Sequence, residues 1–247
     1  MKIKTASLCD KGGKAINDDS VYIQETPHGI CVFVGDGLGG YSGGKMASEA
    51  AGMAVLSCCN WSHPPLSDEW MLHAAQEAEQ AVQRVQQERK GNMKTTLVVF
   101  ILQGNQARWM HIGDSRLYHF VNRKLYTQTK DHSVSQMAVM MGEIDYSQIR
   151  FHEDRNRILR ALGGEKTNPE LSPITDLKKQ RHAFLLCSDG FWEYVYESEM
   201  EQMLRLSKDP QDWLNKMEAL LKERVPADND NYTAAAIFAD NSLFSLF

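Results

Sequence analysis

The chain has 247 residues, 43% of them hydrophobic and 24% charged, with a formal net charge of −5. That balance excludes a disordered chain and offers no cationic footprint for a phosphate backbone, so nucleic acid is not an expected partner. An acidic surplus suits cation binding instead.

Residues 1–9 (MKIKTASLC) lack the apolar core of a secretory leader, and no stretch reaches the roughly 20 apolar residues of a membrane helix. A cytoplasmic protein without a membrane partner is expected. The cysteines Cys9, Cys31, Cys58, Cys59 and Cys187 are odd in number and show no C-x-x-C spacing, which reads as buried thiols in a reducing compartment. The N-x-S/T triplets at Asn60 and Asn231 would matter only in a secretory protein.

In chain order, SVYIQE (20–25) and GICVFVGD (29–36) predict strands, being short runs rich in β-branched and aromatic residues. A helix follows over roughly 45–58, where Ala47, Ala50, Ala51, Ala54, Val55 and Cys58 give a small-residue face for close packing on a sheet. Ser67 caps a second helix with acids at Asp68 and Glu69, an apolar face at Met71, Ala74, Ala75, Ala78, Val82 and Val85, and a stop near Gly91. Strands are predicted at TTLVVFIL (95–102), ARWMHIGD (107–114) and RLYHFVN (116–122), with short connections that favour antiparallel pairing over helical crossovers. RHAFLLCSD (181–189) predicts a further strand. Asp209-Pro210 then opens a helix striped by Trp213, Met217, Leu220 and Leu221, and NYTAAAIFA (231–239) closes the pattern as a strand. Without repeat, low-complexity tract or linker, the expectation is one domain over 1–247.

Acidic residues punctuate the strand ends: Asp18-Asp19 before VYI, Asp36 after CVFVG, Asp114 after MHIG, Asp189 after FLLCS, and Asp230-Asn231 before YTAAAIF. One Asp-Gly after a strand is usually a turn. Recurrence changes the weighting, because carboxylates about 5 Å apart repel by roughly 3 kcal/mol per pair at an effective dielectric of about 20 and require a cation among them. Oxygen-only ligands select Mg²⁺, Mn²⁺ or Ca²⁺, and the histidines show no zinc spacing.

The ordered set K-A-I-N-D-D (14–19), V-G-D-G-L-G-G (34–40), H-I-G-D-S-R-L-Y (111–118), D-H-S (131–133), L-R-A-L-G (159–163), L-L-C-S-D-G-F-W (185–192) and D-N-Y-T (230–233) resembles the motif series of the metal-dependent protein serine/threonine phosphatases of type 2C. The resemblance runs from about residue 7 to 239 and is closest to compact bacterial members. It implies an α+β fold with two packed antiparallel β-sheets, a β-sandwich, flanked by α-helices on both sides. It also implies two Mn²⁺ or Mg²⁺ ions and a more weakly held third. Asp36 would bridge the two cations, Asp189 and Asp230 would complete the first site, and Asp18 with the Gly37 carbonyl would serve the second. Asp114, with Asp189, matches the third site, Asp19 a carboxylate near the waters, and Asn231 the neighbour that shapes its turn. The reaction implied is hydrolysis of phosphoserine or phosphothreonine by metal-activated water, opposing a Ser/Thr kinase, in a monomer whose partners are phosphorylated proteins. The absence of C-x5-R around any cysteine argues against a cysteine-nucleophile route.

The sequence departs from the family pattern at Lys14, which replaces an arginine expected to bind substrate phosphate, and at Asp18, which replaces glutamate. Leu38 and Tyr41 stand near positions where the family often has histidine. Two other functions compete. G-G-Y-S-G-G-K-M (39–46) nearly matches a P-loop, but Met46 replaces the Mg²⁺-binding hydroxyl and Asp36 would repel phosphates. A pseudophosphatase binding module would be signalled by lost metal carboxylates, yet Asp36, Asp189 and Asp230 persist. Several other residues are expected to be structural: Asp131 or Ser133 as a helix cap beside His132, Arg116 pairing with a carboxylate, Met137, Met140 and Met141 as apolar packing, and Trp192 and Tyr194 packing a following helix.

Overall fold

The structure is a computed structural model, and it describes residues 1–26, 29–39, 43–59 and 66–241. Tyr41 and Asn60 lie outside the described residues. The chain begins with β1 (Lys2–Asp10), β2 (Ser20–Thr26), β3 (Gly29–Gly35) and the short β4 (Gly37–Leu38), then helices α1 (Gly43–Cys58) and α2 (Asp68–Arg89). It continues through β5 (Lys94–Thr95), β6 (Leu97–Gln103), β7 (Gln106–Ile112), β8 (Arg116–Val121), β9 (Lys124–Gln128), α3 (Val134–Met141) and a 3-10 turn at Tyr146–Phe151. The last part holds β10 (Glu170–Leu171), β11 (Thr175–Asp176), β12 (Arg181–Cys187), α4 (Asp189–Trp192), α5 (Glu197–Leu206), α6 (Pro210–Arg224) and β13 (Tyr232–Asp240).

Every pairing between these strands is antiparallel. One sheet has the order β1-β13-β12-β8-β9 and the other β10-β7-β6-β3-β2, with β11 also on β7. The central strands are buried along their length because each face meets a different layer. Val32, Val34, Val98, Phe100, Phe184 and Ile237 point between the sheets. Their alternate neighbours Cys31, Phe33, Val99 and Ile101 meet Ala47, Ala51, Val55, Met71 and Ala74 of α1 and α2. On the other side Phe120, Leu185, Ala234 and Ala236 meet Met200 of α5 and Trp213 and Met217 of α6. Each such Val, Leu, Ile, Phe or Met side chain contributes roughly 1.5–3 kcal/mol relative to exposure. The predicted sandwich with helices on both sides is the observed fold.

The helix ends follow local chemistry. Ser67 accepts the Trp70 N–H at the start of α2, and Asp209 accepts the Asp212 N–H ahead of Pro210 in α6. The α2 stop falls on Lys90 in the left-handed region rather than on Gly91. Ser133, not Asp131, caps α3. Met137, Met140 and Met141 are 43%, 74% and 65% exposed, so the expected apolar packing of this trio is not what α3 does with them. Cys31, Cys59 and Cys187 are buried thiols as expected, whereas Cys9 is exposed and Cys58 half-buried. No helix among the described residues is long and apolar enough to cross a membrane.

Candidate active site

Strand register carries the aspartates to one end of the sandwich. Ser20 pairs with Gly35, and Val34 pairs with Val98, so Asp19 and Asp36 emerge together from one sheet. Leu97 pairs with Ile112, which brings the turn ending in Asp114 to the same edge. In the opposite sheet Cys187 pairs with both Ala234 and Arg116, which sets Asp189, Asp230 and Asp114 side by side. Because the sheets are stacked, both sets share one mouth.

Hydrogen bonds fix the scaffold around them. The Asp36 N–H donates to Thr96 Oγ1 at 2.9 Å, and that hydroxyl lies 2.7 Å from Ser115 Oγ, which links the Asp36 and Asp114 turns. Buried Asp19 accepts from Ser188 Oγ at 2.6 Å, next to Asp189. Asn231 is the staple of the N-terminal loop: its Oδ1 accepts the Asp18 N–H at 2.8 Å, and its Nδ2 donates to the carbonyls of Lys11 and Ile16. Asp18 in turn accepts the Lys45 N–H in the first turn of α1 at 2.8 Å, where the helix dipole favours a carboxylate.

The two Asp-Gly steps have a packing reason. A Cβ on Gly37 would stand 2.1 Å from the Gly44 carbonyl oxygen and 2.5 Å from that of Asp18, and one on Gly190 would stand 2.1 Å from the Asn231 oxygen. These glycines let backbone lie directly on backbone beside the acids, so the Gly37 carbonyl sits between Asp18 and α1.

Charge accumulates at this mouth. Burial first, then Asp189, with Asp19, Asp114 and Asp230 adding, pushes the Asp36 carboxyl well above the usual carboxylate range. Asp189 is raised likewise by burial, then by Asp114, Glu193, Asp230 and Asp19. Asp114 is pushed up to about 7, mainly by burial and then by Asp131, and Asp19 to about 6 by burial, partly offset by the Ser188 hydrogen bond. Carboxyl groups that are crowded together and raised by burial and by one another's charge are chemically suited to a hard divalent cation. Lys14, 47% exposed, brings its Nζ to 3.8 Å from Asp230 Oδ1 at the open side.

Glu193 is the acid that sequence patterning missed. It lies one helical turn after Asp189, is raised mainly by burial, and pairs with Arg155 at 2.9 Å. The i, i+4 spacing from Asp189 was the available signal. Arg116 is structural, as expected: it forms a bidentate pair with Asp131 at 2.7 and 2.6 Å, both buried, and lies 3.4 Å over the Trp192 ring. Trp192 does more than pack a helix, since its indole N–H donates to the Asp114 carbonyl at 2.9 Å. The P-loop reading fails here, because Lys45 Nζ donates to the Asp19 carbonyl at 2.8 Å and faces β2 instead of an open phosphate cradle.

Among the described residues, His111, His132 and Glu170 bring one ligand atom each within 4.8 Å of one another. The hydrogen bonds argue against a cation there. The Gly113 N–H donates to His132 Nδ1, which puts the His132 proton on Nε2, facing Glu170 at 3.5 Å and with Arg160 Nη1 3.4 Å away. Burial, His111 and Arg160 hold the His132 pKa down at about 3.

A family model described as protein phosphatase 2C matches residues 11–227. The serine/threonine phosphatase Stp of Listeria welshimeri is 34% identical over 202 residues, covering 79% of this chain and 77% of that protein. The crystal structure of the catalytic domain of the serine/threonine protein phosphatase PstP in complex with two manganese ions aligns over 96% of this chain and 99% of that one, with 27% identity and a TM-score of 0.81. A bacterial serine phosphatase aligns with a TM-score of 0.87 over 98% of this chain and all of its own, at 23% identity, and so speaks for the fold. With the model spanning most of the sequence and a relative 34% identical along 79% of it, the chain belongs to the protein phosphatase 2C family.

Proposed function

We propose that the protein hydrolyses phosphoserine and phosphothreonine in protein substrates at the Asp36, Asp189 and Asp230 cluster, as a single catalytic domain over residues 1–247. Two Mn²⁺ or Mg²⁺ ions are its cofactors in this reading, held by those three aspartates, Asp18 and the Gly37 carbonyl, with a weaker third at Asp114 and Asp189. The observation that carries it is the convergence of Asp36, Asp189 and Asp230 with Asp19 and Asp114 at one mouth, where burial and then the neighbouring acids raise the Asp36 and Asp189 carboxyls. The donor set fits hard cations, being carboxylate and carbonyl oxygen without thiolate or imidazole.

Such cations neutralise phosphate oxygens and acidify water enough to supply hydroxide near neutral pH. The chain's own residues do the positioning. Asn231 orients Asp18 through its backbone, Ser188 holds one oxygen of Asp19, and Lys14 offers a single exposed charge to the phosphate dianion. Water attack breaks the phosphorus–oxygen ester bond and leaves a Ser or Thr hydroxyl and inorganic phosphate. The intact acids speak against a pseudophosphatase. The protein acts in this reading as a cytoplasmic signalling monomer against a Ser/Thr kinase, without nucleic-acid or membrane partners.

After chelation and dialysis the protein is expected to be silent on a phosphothreonine peptide and on a chromogenic phosphate ester, and to regain turnover with Mn²⁺ or Mg²⁺. Full turnover in excess EDTA would sink this reading.

A further inference from the structure

β13 starts beside Asp230 and ends at Asp240, and at this far end of the sandwich lies a cleft of about 520 Å³. Five cations rim it, Lys2, Lys4, Arg123, Arg181 and Lys208, against one acid, Asp240. Its apolar lining comes from Ala183, Leu204 and Phe238. On a chain of net charge −5 this is a local reversal of sign. Arg181 pairs with Asp240 at 3.7 Å, a weak pair, and Lys208 meets the Asp212 carboxylate through its backbone N–H at 3.1 Å.

Part of the rim is held in place at a cost. Asn122 and Arg123 form the two-residue turn between β8 and β9 with φ of 49° and 66°. The second of these positions ordinarily goes to glycine, and here it holds an arginine in the left-handed region. The turn is tied to β12 from both sides: the Asn122 N–H donates to the Arg181 carbonyl at 2.8 Å, and the Arg181 N–H donates to Asn122 Oδ1 at 3.3 Å. Arg123 and Arg181 therefore start from backbone fixed relative to each other.

We infer that this cleft docks an acidic segment of the phosphoprotein substrate, with an apolar side chain seated between its acids. The inference rests on the phosphatase reading for the word substrate, but the binding itself does not depend on catalysis. The nine residues of β13 separate the cleft from the aspartate mouth, a distance on the order of 30 Å. An extended chain covers at most ~3.5 Å per residue, so the acidic segment must lie at least about nine residues from the phosphorylated one. Tethering then raises the effective concentration of the phosphoresidue at the mouth without any new contact there.

The test uses the full chain and a fluorescein-labelled Glu-Glu-Phe-Glu-Glu peptide, read by anisotropy at low and high salt. Saturable binding that weakens as the Debye length falls below about 8 Å is expected. Arg123→Glu combined with Lys208→Glu changes two exposed side chains and is expected to weaken binding by more than about tenfold, with hydrolysis of a small chromogenic ester unchanged. A phosphothreonine peptide with the acidic block about 15 residues away is expected to show a KM at least fivefold below one with the block about four residues away, and the double variant is expected to erase that advantage. Equal binding by wild type and variant, or no binding, overturns the docking site. So does binding only after removal of residues 242–247, which would make the chain's own tail the occupant. Peptide binding with no hydrolysis of any phosphoester leaves the cleft standing as an acidic-peptide site and removes the phosphatase reading instead.

Discussion

Asp36 is raised first by burial and then by the repulsion of Asp189, Asp19, Asp114 and Asp230. Its folded pKa is above its unfolded one, so the metal-free folded state binds this proton more tightly than the unfolded chain does. The stability tied to that proton is present at acid pH and is lost as pH rises through the folded value. Asp36→Asn removes the titration, and its metal-free melting temperature is expected to exceed wild type by a margin that grows as pH rises above the ordinary carboxylate range. The same variant is expected to lose about a thousandfold in Mn²⁺-supported turnover. A constant margin across pH, or wild-type turnover, would show Asp36 to be an ordinary turn residue. Lys14 is the other residue with a sharp expectation. A planar guanidinium makes two charge-assisted bonds where ammonium usually makes one, so Lys14→Arg should lower KM on a phosphothreonine peptide, by no more than about a hundredfold. Lys14→Ala should raise it. Unchanged KM and kcat in Lys14→Ala would put Lys14 outside the phosphate site, leaving only its weak surface pair with Asp230.

The element that most directly sets Asp114 is the turn between β7 and β8. Gly113 has φ of 101° and its Cβ would stand 2.6 Å from Thr96 Cγ2, so only glycine serves. His132 grips that glycine twice, accepting its N–H at Nδ1 and donating its own backbone N–H to the Gly113 carbonyl at 2.9 Å. Asparagine places an acceptor oxygen near Nδ1, whereas glutamine reaches toward Nε2. His132→Asn should therefore keep Mn²⁺ affinity by calorimetry within a few-fold of wild type, while His132→Gln loses about tenfold, the worth of one hydrogen bond. Equal losses in both would mean that the ring's stacking on His111, at 4.6 Å between centroids, matters instead. Legibility in the sequence varied with burial at this scale. β3, β6, β12 and β13 announce themselves because both faces are buried and β-branched, aromatic or small residues run unbroken. β1 and β9 were not predicted: both are edge strands, broken by lysines that protect a free edge and blur the apolar signal. α5 leaves little mark in the sequence because only Met200 and Leu204 of its ten residues are buried.

Across the molecule, the aspartates were legible as punctuation after strands, and their order matched a family pattern. Their convergence was not, because it depends on the pairings of Val34 with Val98 and of Cys187 with both Ala234 and Arg116, which no local period encodes. Glu193 is hard to read in the sequence because it is a lone glutamate just past the four-residue α4, with only its spacing from Asp189 to mark it. The pairing of β1 with β13, Lys2 against Asp240, has a consequence for the way the protein is made. β1 finds its partner only when β13 has emerged, and β13 is also the neighbour that β12 needs on one side. A sheet whose ends are this distant in sequence closes late, since loop-closure entropy must be met before the contacts repay it. Asp230 arrives with that final strand. The acidic mouth is thus complete only once β13 has been made, and a nascent chain that stops short of it carries an unfinished site that cannot act on the proteins around it.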